Sequence, residues 1–126
     1  MNVILDTCAL LAMARGDLPS TAAVALGRAP EAHVSVVSAW EVALKVAGGK
    51  LRLEQSPIDW FLGLVDRYQL RDVALDAPTA CAAAVLPPIH RDPFDRVIVA
   101  LAREHALTVL TSDDNIRKYP GVTTLW

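Results

Sequence analysis

The amino-acid sequence predicts an α/β fold, a three-layer α/β/α sandwich whose central sheet is mostly parallel. Short apolar runs typical of buried strands alternate along the chain with segments of helical periodicity. Serine or aspartate precedes several of the helical segments, and glycine pairs or prolines follow them. At 126 residues the chain is long enough for one hydrophobic core, so we expect a single domain over residues 1–126.

The first half of the chain contains two predicted strand–helix units and one further helix. In order, they are a strand at residues 3–5, a helix at 7–15, a strand at 33–37, a helix from Ser38 to the Gly48-Gly49 pair, and a helix from Ser56-Pro57. The last of these starts is well marked, because a serine N-cap is followed by proline at the first helical position.

The second half continues the alternation. Its predicted elements are a strand at residues 71–75, a helix at 77–85 that Pro87-Pro88 breaks, a helix from Asp92-Pro93, and strands at 107–111 and 122–125. Strands that alternate with helices indicate βαβ units, which place helices on both faces of a parallel sheet.

Composition excludes several classes of protein. With 53% hydrophobic and 21% charged residues the chain is too apolar to be disordered. Its longest apolar runs, residues 97–102 and 80–86, are short of the roughly 18 residues that suggest a bilayer span, so we expect a soluble, cytoplasmic protein that does not bind membranes. Cys8 and Cys81 lie far apart and are expected to be reduced thiols. The net charge of −2 argues against nucleic-acid binding, which normally uses a basic face.

Carboxylates stand at or just after predicted element boundaries in four places: Asp6, Glu41, Asp92 with Asp95, and Asp113 with Asp114. Each place has a purely structural alternative: Asp6 and Asp92 could be helix N-caps, Ser38 with Glu41 could form a capping box, and Asp113 with Asp114 could shape a turn. Because the carboxyl ends of parallel strands share one edge of a sheet, however, we expect Asp6, the Ser38–Glu41 turn and Asp113, which all follow strands, to meet there. Carboxylates that lie so near to one another repel each other unless a cation offsets their negative charge.

The type of the side chains predicts which cation this is. Mg²⁺ prefers oxygen ligands and is commonly held by a few carboxylates together with substrate phosphate oxygens. No set of cysteines and histidines has the spacing of a zinc site. The acids therefore predict a magnesium site that would also bind a substrate phosphate.

Five motifs together resemble a known family. They are Leu5-Asp6-Thr7-x-Ala9-Leu10-Leu11, Ser38-Ala39-Trp40-Glu41-Val42-Ala43-x-Lys45, Gly49-Lys50-Leu51, His90-Arg91-Asp92-Pro93-Phe94-Asp95-Arg96 and Leu110-Thr111-Ser112-Asp113. In order and spacing they resemble the VapC-like PIN-domain nucleases, which are toxins of type II toxin–antitoxin pairs, over nearly the whole chain. The stretches around Glu41 and from His90 to Arg96 are the specific ones, while the Asp6 motif alone would be weak.

The resemblance implies an activity, a site and partners. It implies a PIN-like fold and a Mg²⁺-dependent endoribonuclease, with Mn²⁺ as a substitute, that cuts RNA. The acidic quartet of the family falls on Asp6, Glu41, Asp95 and Asp113, which would be catalytic and would bind one or two metal ions. A VapB-type antitoxin would inhibit the protein, and the chain would form a homodimer.

Other residues near the motifs are candidates for supporting roles. Asp92 could be an outer ligand of the metal or a helix cap, and Thr7 and Ser112 could hydrogen-bond a carboxylate or a metal-bound water. Lys45, Lys50 and Arg96 could contact RNA phosphate, with Arg52 extending this surface; the alternative is a Glu41–Lys45 pair and ordinary surface charge. The three histidines, at positions 33, 90 and 105, are scattered, and we expect them to be structural. Trp40, Trp60, Phe61 and Leu64 are expected to pack in the core, or else to line a groove for a partner.

Three other functions are considered. A haloacid-dehalogenase-like phosphatase would need a second aspartate two residues after Asp6, where Cys8 stands. A receiver domain would need a lone phosphoacceptor aspartate on a central strand and a later lysine, and this pattern is not found. A PIN-like protein that binds RNA or a partner without cutting would be expected to lack one acid of the quartet, and all four are present.

Overall fold

The computed structural model describes all of residues 1–126, in five strands and seven helices. The strands are β1 (Val3–Leu5), β2 (Ala32–Ser35), β3 (Arg71–Val73), β4 (Thr108–Leu110) and β5 (Thr124–Leu125). The helices are α1 (Thr7–Arg15), α2 (Ser20–Arg28), α3 (Val36–Ala47), α4 (Pro57–Arg67), α5 (Ala77–Ala84), α6 (Pro93–His105) and α7 (Asp114–Arg117). None of the helices is long and apolar enough to cross a membrane.

All five strands are parallel, in the order β3-β2-β1-β4-β5. The central strand β1 pairs on both sides, with Leu5 opposite Val34 of β2 and Leu110 of β4. Its three residues are all fully buried, as expected for a strand covered on both faces.

Two apolar clusters lie on opposite faces of the sheet. Val3 and Leu5 contribute to the first cluster, together with residues of α1, α2 and α4, while Ile4 contributes to the second, together with residues of α5, α6 and α7. Successive residues of a strand point to opposite faces, so this division places helices on both sides of the sheet. The predicted α/β/α sandwich is confirmed.

The start of α3 differs from the prediction. The strand β2 ends at Ser35, and the Ser35 side chain accepts a hydrogen bond from the backbone N–H of Val37, so Ser35 and not Ser38 is the N-cap. Ser38 lies inside the helix, fully buried, and accepts a hydrogen bond from the hydroxyl of Thr7. The strand was predicted to continue to residue 37 because the valines at 36 and 37 are typical of strands. The predicted capping box is wrong, and the Glu41 carboxylate is not used to cap α3.

Two helices were not predicted. The helix α2 is rich in alanine and buries only Ala22 and Ala25, so its apolar pattern is weak. The helix α7 is a single turn. The other predicted elements begin and end within two residues of the observed ones, and both cysteines are exposed free thiols.

Candidate functional site

Asp6 directly follows β1 and is the N-cap of α1. One carboxylate oxygen accepts the backbone N–H of Ala9 at 2.8 Å, and the other accepts the hydroxyl of Thr111, which follows the neighbouring strand β4. The side chain is almost fully buried. Burial raises the pKa of Asp6 to about 6, the two hydrogen bonds oppose this, and the negative charges of Asp113 and Glu41 raise the pKa further. Asp6 is therefore both a helix cap and part of an acidic group.

Glu41 lies in the second turn of α3 with only 12% of its side chain exposed. Its Oε2 accepts a charged hydrogen bond from Lys45 Nζ at 3.0 Å, one helical turn later. Its Oε1 is buried and has no hydrogen-bond partner. A buried carboxylate oxygen is costly without a donor or a cation, so this atom points to a positively charged ligand.

Asp95 lies in the first turn of α6, beyond the N-cap residue Asp92. Its pKa is raised to about 7, first by burial and then by the negative charges of Asp92, Asp6 and Glu41, against which His90 acts. A carboxyl group with such a pKa lies among other acids with little access to water.

Asp113 follows β4 and caps α7 by accepting the backbone N–H of Asn115. Burial by itself would raise its pKa, but the hydrogen bonds from His90 and from the backbone outweigh burial and lower the pKa of Asp113. Asp113 therefore remains ionised while Asp6 and Asp95 are harder to ionise.

His90 connects two of the acids. Its Nε2 lies 2.8 Å from Asp113 Oδ2 and 3.1 Å from Asp95 Oδ2. Its Nδ1 accepts the backbone N–H of Asp92 at 3.1 Å, so the N–H that donates hydrogen bonds to the carboxylates is the one on Nε2. The sequence indicated a structural role for His90, but it did not indicate these two acidic partners. The available signal was its position two residues before the aspartate that caps α6.

The structure brings the four predicted acids together at the carboxyl edge of the sheet, and their charges act on one another. Ligand atoms of His90, Asp95 and Asp113 lie within 4.8 Å of one another, a spacing that one metal ion could span. Because hydrogen bonds use both ring nitrogens of His90, the free ligands in this group are the carboxylate oxygens, which suit Mg²⁺ or Mn²⁺. Asp6 and Glu41 are outside the group of three, and the buried, unpartnered oxygen of Glu41 is a second feature that fits a divalent cation.

Of the three residues with predicted supporting roles, Asp92 is a helix cap, as one of its two alternatives had it, whereas Thr7 and Ser112 do not contact an acid. The Thr7 hydroxyl donates to Ser38, and Asp92 accepts the backbone N–H of Phe94 at the start of α6. Ser112 is exposed, and the neighbouring residue Thr111 holds Asp6 instead. The hydroxyl that supports the site was thus predicted one position away from its actual place.

Lys45, Lys50 and Arg96 differ in their availability to substrate. Lys45 pairs with Glu41, and both lysines line a cavity of about 340 Å³ beside the acids. The guanidinium of Arg96 donates to the backbone carbonyls of Ala83, Ala84, Leu86, Pro87 and His90 and to the Tyr119 hydroxyl. All of its N–H groups are thereby used within the protein, so the phosphate contact that we predicted for Arg96 is not available in this conformation.

Of the four apolar residues on the middle helices, three are buried and one is exposed. Trp60, Phe61 and Leu64 are buried in the first cluster, as expected for core residues. Trp40 is not in the core, because 60% of it is exposed, and its ring meets the ring of Phe94 edge to face at 5.1 Å between centroids.

Comparison with known proteins agrees with this fold. The chain is 30% identical over 112 residues to Ribonuclease VapC22 of Mycobacterium tuberculosis (strain ATCC 25618 / H37Rv), a match that covers 86% of this chain and 85% of that protein. Similar solved structures include VapBC2 from Rickettsia felis bound to a DNA fragment from their promoter, with 14% identity, a TM-score of 0.72 and coverage of 100% and 99% of the two chains. A toxin–antitoxin complex from Klebsiella pneumoniae has 17% identity, a TM-score of 0.66 and coverage of 97% and 96%.

The family model described as PIN domain matches residues 3–122, which include all four acids. This match spans nearly the whole chain, and the relative at 30% identity is aligned over most of both sequences. The chain therefore belongs to the PIN domain family.

Proposed function

We propose that this protein is a divalent-metal-dependent endoribonuclease of the VapC type, with Asp6, Glu41, Asp95 and Asp113 as its catalytic and metal-binding residues. The observation that carries the proposal is the buried, unpartnered Oε1 of Glu41 within a group of mutually repelling acids. A cation would give this oxygen a ligand and would favour the ionised forms of Asp6 and Asp95, whose pKa is raised first by burial and then by repulsion from neighbouring acids.

Mg²⁺, or Mn²⁺ in its place, would activate water and neutralise charge on the phosphate as it is attacked. Hydrogen bonds from neighbouring residues hold the carboxylates in their orientations. Asp6 is oriented by the backbone of Ala9 and the hydroxyl of Thr111, and Glu41 by Lys45. Fixing the ligands before substrate arrives avoids reorganising them during the reaction, which is how such sites gain rate.

The remaining acids are positioned through His90, which donates to both Asp95 and Asp113. Of the two, Asp113 has the lowered pKa and is the permanent negative charge, while Asp95 has a pKa of about 7. A bound cation would favour the ionised form of both carboxyl groups. We propose that Asp95 or Asp113, both of which His90 holds in place, orients the attacking water.

The proposed substrate is RNA, and the proposed partner is an antitoxin of the VapB type. The first proposal is supported by the relative named as a ribonuclease, and the second by the two solved structures of toxin–antitoxin complexes. Lys45 and Lys50 are proposed to contact phosphate. The acidic net charge of −2 suits a basic antitoxin segment that covers the acids. We further propose a cytoplasmic, single-domain chain that forms a homodimer.

Cleavage of a structured RNA in Mg²⁺ tests the activity. Asp6→Asn, Glu41→Gln and Asp95→Asn should each cut at least about 100-fold more slowly than the wild type, since each removes a charge from the metal site. Asp66→Asn, an exposed acid near the end of α4, is the matched control and should cut normally. Calorimetric titration with Mn²⁺ should show weaker binding in the three site variants only.

If the site variants cut as fast as the wild type, the nuclease proposal is wrong. If the wild type neither binds metal nor cuts RNA, the protein is a PIN-like binding module instead.

A further inference from the structure

Trp40 is an exposed aromatic residue placed beside the acidic group. It precedes Glu41 on α3, and Phe94, which its ring contacts, precedes Asp95 on α6. The two rings are nearly perpendicular, with an interplanar angle of 85°. Edge-to-face contact holds an aromatic pair in place without stacking the rings on one another. With 60% of Trp40 exposed, its indole is both fixed and accessible.

A cavity of about 340 Å³ adjoins this aromatic pair. Phe94 and Leu44 form its apolar wall, and Leu44 lies one helical turn after Trp40 on α3. Lys45 and Lys50 supply positive charge on the same cavity, and Glu41 of the acidic group also lines it. The cavity thus combines an apolar wall with two ammonium groups, of which Lys45 pairs with Glu41, and with two carboxylates, Glu41 and Asp92.

We propose that Trp40, Phe94 and Leu44, with Lys45 and Lys50, form a subsite for one unpaired nucleotide of RNA next to the bond that is cut. The inference rests on the proposed nuclease function. The indole stacks on the base, and the lysines contact the adjoining phosphate. The presence of Glu41 on the wall places the neighbouring phosphodiester at the acids.

The geometry favours an unpaired nucleotide. A base inside a duplex is covered on both faces by its neighbours, and an indole on a helix surface cannot reach it. A splayed-out base exposes a face on which an aromatic side chain stacks, regardless of the identity of the base. The subsite therefore selects single-stranded or looped RNA over duplex and adds little sequence preference.

The lysines favour a nucleotide over an apolar protein segment as the occupant. A cavity that served only to bury a hydrophobic side chain would not be lined by Lys45 and Lys50 together with Glu41 and Asp92, since burial of these charges is costly. The phosphate of a nucleotide matches the lysine side of the cavity, and its flat base matches the apolar wall.

Binding of labelled RNA, measured by fluorescence anisotropy in Mg²⁺, tests the subsite. All proteins carry Asp6→Asn to prevent cleavage, and the probes are a short single-stranded RNA and the same strand in a duplex. Trp40→Ala should weaken binding of the single strand about 5- to 100-fold, as expected from loss of one stacked base. Trp40→Phe should restore most of the affinity, because it keeps an aromatic face. Leu62→Ala, a change of an apolar residue on α4 that is 50% exposed, is the control and should have no effect.

Undiminished binding of the single strand by Trp40→Ala overturns the subsite, and so does an equal loss of affinity for the single strand and the duplex. The proposal is also wrong if Trp40→Ala leaves the affinity for RNA unchanged but alters the sedimentation of the protein. That result would assign Trp40 to contacts between copies of the chain. Failure of the nuclease proposal is separate, since it would appear as normal cleavage by Asp6→Asn or Glu41→Gln in the absence of any change at Trp40.

Discussion

At the scale of single residues, His90 shows how the acidic group is held together in the absence of a cation. The backbone N–H of Asp92 donates a hydrogen bond to Nδ1 of His90. The ring therefore carries its own N–H on Nε2, and this ring N–H donates to both Asp95 and Asp113. A hydrogen-bond donor between two carboxylates stabilises oxygens that would otherwise repel each other. His90 is thus a positioning residue for Asp95 and Asp113.

Replacing His90 should destabilise the metal-free protein. His90→Ala should lower the free energy of unfolding by about 1–3 kcal/mol, the usual loss when a hydrogen bond to charged groups is removed. His90→Gln should recover part of this loss, because its amide can still donate to the carboxylates. The measurement is urea unfolding with EDTA at neutral pH. His105→Ala, at the exposed end of α6, is the control and should change stability by less than about 1 kcal/mol. Equal stability of His90→Ala and the wild type would show that the contact contributes nothing.

The acids could be located from the sequence, whereas their supporting residues could not. Asp6 and Asp113 follow strands, and the rule that parallel strands end at one edge is enough to bring them together. The roles of His90 and Thr111 depend on side-chain directions after irregular segments, which no periodicity encodes. Trp40 was misjudged because helical spacing alone does not tell an exposed apolar residue from a buried one.

At the scale of elements, the connection between α5 and α6 is organised by one side chain. The last carbonyls of a helix have no partners within it, and the guanidinium of Arg96 bonds Ala83 and Ala84 at the end of α5. The same group reaches the carbonyl of His90, whose backbone N–H in turn donates to the Tyr119 hydroxyl. Arg96 therefore joins the end of α5 to the segment that carries His90.

Substitution of Arg96 should loosen this connection. Arg96→Lys keeps the charge but loses the planar fork of donors, so we expect a loss of about 2–4 kcal/mol in the free energy of unfolding. Hydrogen exchange should become faster in residues 85–92. Arg117→Lys, which affects only an exposed ion pair with Asp114, is the control and should be nearly neutral. If Arg96→Lys weakened RNA binding with no change in stability or exchange, the phosphate contact predicted from the sequence would be correct after all.

The element boundaries show which local signals can be trusted. The starts of α4 and α6 are marked by Ser56-Pro57 and Asp92-Pro93, where cap and proline agree, and both were predicted at the right residue. The start of α3 was misplaced because Val36 and Val37 favour a strand locally while the cap at Ser35 and packing of the helix determine the outcome.

At the scale of the whole molecule, the fold places repelling acids at one edge of its sheet, and stability should reflect this. Burial is the main reason that the pKa of Asp6 rises to about 6 and that of Asp95 to about 7, above the ordinary value of 3.8. The folded protein therefore binds these protons more tightly than the unfolded chain does. Their stabilising contribution is complete below about pH 4 and is lost as the pH rises through about 6 to 7.

The metal-free protein should consequently have a higher Tm at about pH 5 than at about pH 8, with the loss spread over the range in which Asp6 and Asp95 ionise. Mg²⁺ binds the ionised carboxylates, so the rise in Tm that it causes should be larger at the higher pH. Differential scanning calorimetry with EDTA or Mg²⁺ measures both effects. Asp95→Asn has one fewer titrating group and should show a flatter pH profile, a higher metal-free Tm at about pH 8 and a smaller response to Mg²⁺. If the wild type and Asp95→Asn had the same pH profile in EDTA, the raised pKa of Asp95 would not be a source of the pH dependence of stability.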